Sequence, residues 1–136
     1  MTPVAVLFDF DGVLVDTEPI YDRLTRELLA TLGARADDLL FDRLRGLRAE
    51  EEWTLIAGEL GLELPVTVLV ERAEALRERA IIDGRPPPLM IGARKLVRAL
   101  EGHDIPMAVV SSSPTGRVES VLSRIGLAAA MTVVVG

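Results

Sequence analysis

Three short, uninterrupted apolar runs punctuate the chain: Val4-Ala5-Val6-Leu7-Phe8, Ile105 to Val110 and Met131 to Val135. Continuous runs of this length predict strands buried on both faces, the usual state of a parallel sheet. Pro106 falls at the very start of the second run, where a missing N–H is tolerated. Between the runs the period changes. Ala93, Leu96, Val97 and Leu100 repeat at helical spacing and are closed by Gly102; Val118, Val121, Leu122 and Ile125 do the same and are closed by Gly126. Ser113 is placed to cap the second of these helices, with Pro114 in its first turn. The second half of the chain thus reads helix, strand, helix, strand, which predicts parallel α/β architecture.

The first strand stands far from the second. About a hundred residues separate Asp9 from Ser111, whereas a strand–helix–strand crossover needs about 30. The surplus reads as helices from Pro19 to Leu32, Asp37 to Leu44, Arg48 to Leu60 and Pro65 to Ile82, three of which stop at or near Gly33, Gly61 and Gly84. The stretch Asp83-Gly84-Arg85-Pro86-Pro87-Pro88 is stiff and extended by composition. A helical insertion, residues 17–85, is therefore expected within an α/β core made of 1–16 and 86–136.

Charge and composition narrow the function. The 136 residues carry 21 acidic against 15 basic side chains, for a net charge of −6. Nucleic acid is excluded as a partner, because tracking a phosphate backbone needs a basic stripe. With 49% hydrophobic residues the chain can bury a core, and with no cysteine it has no disulfide framework or thiolate zinc site. The N-terminal Met1-Thr2-Pro3 lacks the basic start of a signal peptide, and no apolar run approaches a membrane span. The expectation is a cytoplasmic protein with no membrane partner.

The sharpest chemical feature is Asp9-Phe10-Asp11-Gly12, directly after the first strand. Residues i and i+2 of a strand point to one side, so both carboxylates should project where open α/β sheets bind ligands, at the strands' carboxyl ends. Two close carboxylates need a cation, a proton or different roles, and Gly12 lets the backbone turn and approach a ligand closely. A plain strand-ending turn explains the same four residues about as well. The second feature is Ser111-Ser112-Ser113-Pro114, where a helix N-terminus can attract an anion. Taken alone, a capped helix explains it better. Side by side on adjacent strands, the two features fit phosphoryl transfer, in which a protein mainly positions groups and neutralises charge.

The run Leu7-Phe8-Asp9-Phe10-Asp11-Gly12-Val13-Leu14-Val15-Asp16-Thr17-Glu18-Pro19 resembles the first motif of the haloacid dehalogenase-like superfamily, near its phosphoglycolate phosphatase and β-phosphoglucomutase branch. Ala108-Val109-Val110-Ser111-Ser112-Ser113 resembles the second motif, and Gly46 after Leu44-Arg45 the substrate loop of the helical cap. The resemblance implies a Rossmann-like parallel core with an inserted helical cap, and a phosphatase acting on a small phosphorylated metabolite, with a sugar phosphomutase of the same family as an alternative. It implies that Asp9 attacks phosphorus to form an aspartyl-phosphate and that Asp11 serves as acid and then base. Mg²⁺ would sit on the Asp9 carboxylate and the Asp11 carbonyl. Ser111 would hold a phosphate oxygen with help from the N–H groups of Gly12 and Ser112. Arg45 and Arg48 could meet an anionic substrate, although in this arginine-rich chain a solvated helix face is the better account of both.

The resemblance also implies two further motifs, a phosphate-steadying lysine and an acidic pair at the metal. The single lysine, Lys95, precedes the second strand and does not match, and no acidic residue follows Glu119. Loss of one such electrostatic partner typically costs about 10²–10³ in rate. A domain that binds phosphate without turning it over is accordingly a competing reading. In the family's sheet, later strands lie beside the first. Without them, strand 4–8 is expected to present an open apolar edge and to self-associate through it. An EF-hand aligned on Gly12 fails, because Leu7 would take the first ligand position and a strand precedes the loop. An Asp-x-Asp glycosyltransferase site would leave Ser111 and the insertion unexplained.

Overall fold

The computed structural model describes residues 4–136. The reading of Met1-Thr2-Pro3 as no signal peptide lies outside the described residues. The elements follow in the order β1 (Val6–Phe8), α1 (Glu18–Thr31), α2 (Asp38–Leu44), α3 (Ala49–Leu60), α4 (Val66–Asp83), α5 (Ala93–Glu101), β2 (Met107–Val110), α6 (Thr115–Arg124), a 3₁₀ turn (Ala128–Ala130) and β3 (Val133–Val135). The chain divides into two compact units. The sheet unit ends its first segment at Glu18 and resumes at Ala80, and the insertion unit is Pro19–Arg79. These limits fall inside the expected 17–85, because α4 continues without interruption from the insertion into the sheet unit.

In the sheet unit the strands lie in the order β1-β2-β3, all parallel. Val6 is paired with Met107 and Phe8 with Val109, while Val109 is paired in turn with Val134. One face, with Phe8, Met107 and Val109, is buried with Val97 of α5 and Val118, Val121 and Leu122 of α6. The other face is open, which corrects the expectation of strands buried on both sides. Leu7 (70% exposed), Val110 (48%), Val133 (50%) and Val135 (52%) share it by register and alternation. No element among the described residues covers that face. Leu96, expected on the buried stripe of α5, is half exposed, while Ala93 and Val97 carry the packing.

The two connections between sheet unit and insertion run beside each other. The Asp16 N–H donates to the Pro88 carbonyl at 2.8 Å and the Met90 N–H to the Leu14 carbonyl at 3.0 Å, around an antiparallel bridge between Val15 and Leu89. Arg124 at the end of α6 donates to the carbonyls of Ile81 and Gly84, satisfying acceptors that the end of α4 leaves unpaired. Gly84 must be glycine here, since a Cβ would lie 2.2 Å from the Ala80 carbonyl oxygen.

The insertion unit is an all-helical packing around Leu28, Leu29, Leu40, Phe41, Leu44, Trp53, Ile56, Leu69 and Ala73. Asp37 caps α2 by accepting the Leu40 N–H at 2.9 Å. Among the described residues no helix is long and apolar enough to cross a membrane.

Candidate active site

The carboxyl end of β1 continues into a tight loop that Phe10 anchors. Its side chain is buried, and its carbonyl oxygen accepts the N–H groups of Val13, Leu14 and Val15. The loop lifts the flanking Asp9 and Asp11 out of the core. Asp9 is exposed, with one carboxylate oxygen accepting the Phe10 N–H at 2.7 Å. Asp11 is partly buried and held from two sides. The Thr17 hydroxyl donates to its Oδ1 at 2.7 Å and the Ser113 hydroxyl donates to its Oδ2 at 2.6 Å.

The second bond closes a span of 102 residues and joins the loop after β1 to the loop after β2. The two motifs singled out by sequence therefore meet at the carboxyl end of the sheet, as the parallel pairing of their strands requires. Ser111 donates its N–H to the Val135 carbonyl at 2.9 Å, and its Oγ accepts the Ser113 N–H at 3.0 Å. A hydroxyl so engaged as acceptor keeps its own proton to donate outward. Ser112 is exposed.

Two details differ from expectation. Ser113 does not cap α6; Pro114 occupies the cap position and makes no side-chain bond there, while the Ser113 hydroxyl goes to Asp11. The Gly12 N–H, expected to help cradle phosphate, donates to the Val15 carbonyl at 2.8 Å. What Gly12 supplies instead is the turn and the room. Its φ is +73°, which side-chain-bearing residues rarely adopt, and a Cβ there would meet nothing within 4 Å. Thr17 went unassigned at the sequence level, although it stands within the first motif. Only the folded loop brings it onto Asp11.

The residues expected from the insertion lie in its α2–α3 turn. Arg45 sits 3.9 Å from Asp22 and 3.7 Å from Asp42. Gly46 turns with a φ of 78°, and the Arg48 N–H donates to Glu51 at 2.9 Å. Within the insertion unit, then, Arg45 has acidic neighbours and the Arg48 backbone is engaged at the start of α3.

Oxygen donors suit Mg²⁺, which prefers one or two carboxylates and fills its remaining positions with water and substrate phosphate. The exposed Asp9 carboxylate and the Asp11 carbonyl fit that description. Among the described residues no three His, Cys, Asp or Glu side chains gather as a metal-holding group.

A model of the haloacid dehalogenase-like hydrolase family matches residues 4–136. Over 113 residues, 81% of the chain, the sequence is 31% identical to a mitochondrial (DL)-glycerol-3-phosphatase of Arabidopsis thaliana, and it covers 37% of that protein. Over 126 residues, 90% of the chain, it is 28% identical to a fructose-1-phosphate phosphatase of Escherichia coli, of which it covers 63%. The fold superposes on a β-phosphoglucomutase of Clostridium difficile with a TM-score of 0.77 at 20% identity, covering 98% of this chain and 61% of that one. The chain thus spans between about a third and two thirds of the length of these relatives.

Proposed function

Given that the chain belongs to the haloacid dehalogenase-like hydrolase family, we propose that it carries the nucleophile and the acid–base group of a phosphatase for small phosphorylated metabolites such as sugar or polyol phosphates. The observation that carries this reading is the junction of the Asp9–Asp11 loop with the serine loop through the 2.6 Å Ser113–Asp11 bond. The names of the two curated relatives support the substrate class.

An Asp9 carboxylate oxygen attacks phosphorus in line with the ester oxygen. The P–O ester bond breaks, and Asp11 gives its proton to the departing alcohol. Water then attacks the aspartyl-phosphate at phosphorus, Asp11 takes the water's proton, and the bond from phosphorus to Asp9 breaks to release inorganic phosphate. The Ser111 hydroxyl and the Ser112 N–H hold the phosphoryl oxygens at the start of α6, where the helix dipole favours an anion. The Asp9 carboxylate and the Asp11 carbonyl would hold Mg²⁺, which would supply charge neutralisation at the phosphoryl group.

The test is phosphate release from fructose 1-phosphate and glycerol 3-phosphate, with and without Mg²⁺. Turnover by the wild type that falls by at least about 10³-fold in Asp9→Asn, in a protein that melts as the wild type does, is the expected result. Absence of turnover from a folded wild type on every ester sinks the enzymatic reading. One alternative is a domain that binds phosphate without hydrolysing it. Calorimetry with inorganic phosphate distinguishes the two.

We also propose that the chain associates with a second copy along the outer edge of β1. Among the described residues β1 is paired only with β2, and the side chain of Leu7 within it is exposed.

A further inference from the structure

The Ser113 hydroxyl has no place in the mechanism above, nor in the capping role expected of it. Yet its side chain is buried, and its 2.6 Å bond to Asp11 Oδ2 is a side-chain link between the two loops. Asp11 has to present one carboxylate oxygen to the ester oxygen in the first half-reaction and to water in the second. A carboxyl side chain at a loop can turn about χ1 and χ2, and each wrong rotamer removes the acid from reach. Thr17 holds Oδ1 from the β1 side of the site. A single anchor of that kind leaves rotation about the anchored oxygen free. A second anchor on the other oxygen, from a different strand, defines the plane of the carboxylate.

We infer that Ser113 is a positioning residue for Asp11: from the loop after β2 it sets the orientation in which Asp11 meets the leaving oxygen, while Ser111, two residues earlier, faces the phosphate. The division of labour follows from the backbone. The Ser113 N–H is bonded to Ser111 Oγ, so one turn of chain fixes both hydroxyls at once, one toward the acid and one toward the anion. The inference rests on the phosphatase reading, and its test separates the two.

Ser113→Ala and Ser113→Thr are compared with the wild type in rapid-quench measurements on glycerol 3-phosphate, whose alkoxide needs a proton, and on 4-nitrophenyl phosphate, whose phenolate leaves without one. The expected result is that Ser113→Ala slows phosphoenzyme formation from glycerol 3-phosphate by roughly 10- to 100-fold, within the about 10²–10⁴ that a positioned acid–base group contributes. The nitrophenolate burst keeps its rate, and Ser113→Thr restores the alkyl reaction. Equal slowing on both esters, or no slowing, overturns the inference. A wild type that turns over neither ester defeats the phosphatase reading alone. In that case ¹³C-aspartate NMR at one fixed pH decides on Ser113, with the Asp11 carboxyl line identified by its loss in Asp11→Asn. A line that moves or splits in Ser113→Ala and returns in Ser113→Thr supports the positioning role, and an unmoved line overturns it.

Discussion

Replacing Arg77 by alanine would strand Glu52 inside the insertion unit. The guanidinium is buried, bonds both carboxylate oxygens of Glu52 at 3.0 Å, reaches Glu74 at 3.0 Å and lies 4.8 Å from the centre of the Tyr21 ring. Burial by itself would lower its pKa, but the charges and hydrogen bonds of Glu52 and then Glu74 outweigh that and raise it above its already strongly basic value. A raised pKa gives stability that is complete below the unfolded-state value and is lost only as pH climbs through the folded one. Arg77 itself therefore adds no pH dependence at or below neutrality. Urea unfolding should show a loss of about 3–5 kcal/mol for Arg77→Ala, because the partner carboxylate is left buried and unpaired. The double replacement Arg77→Met with Glu52→Leu should recover most of it. This pair was invisible in the sequence, where both residues sit among many charges on amphipathic helices. Asp9 and Asp11 stood out only in combination: a strand-ending turn explains the two acids and the glycine about as well, and it was the serine run after a second strand that made a shared loop cluster the better reading. Ser113 was misplaced because a serine before proline at a helix start fits a cap equally well, and only the neighbouring strand decides between the two partners.

At the level of elements, the apolar pattern located every described α-helix and strand to within a few residues, but gave no sign of the 3₁₀ turn Ala128–Ala130. It did less well on which faces are covered. Val4 to Phe8 and Met131 to Val135 look alike whether a strand is covered once or twice, since an apolar run records the propensity to be buried and not the presence of a cover. The junction at the end of α4 was legible only in part. The prolines at 86–88 marked it, but the side chain that secures it, Arg124, comes from forty residues further on and bonds the backbone carbonyls of Ile81 and Gly84. Its removal leaves those carbonyls to water. Arg124→Ala should cost about 1–2 kcal/mol, read as a drop in Tm. Amide exchange should become faster through residues 80–84 and stay as it is in β2. Gly84→Ala should destabilise the same junction through the contact with the Ala80 carbonyl. An unchanged Tm in both variants would mean that the end of α4 is held by something else.

At the scale of the described residues together, the proposed pairing along β1 and the open sheet face give an expectation for solution behaviour. Four aliphatic side chains about half exposed or more on one surface make a patch of the kind that drives association. Light scattering across a concentration series should show a mass above that of the monomer. Leu7→Lys should shift the distribution toward the monomer without loss of helical content. A monodisperse monomer at every concentration would contradict the proposed pairing along β1.

The ladder formed by Leu14, Asp16, Pro88 and Met90 around the Val15–Leu89 bridge has a consequence for how this architecture can vary. Exit and return of the intervening chain are stapled together before the helices between them contribute anything. The strands are therefore blind to how long that excursion is. Doubling its length adds only about 0.6 kcal/mol of closure entropy, so the excursion could be exchanged for a shorter hairpin or a larger helical body while the Asp9 loop stays where β1 puts it.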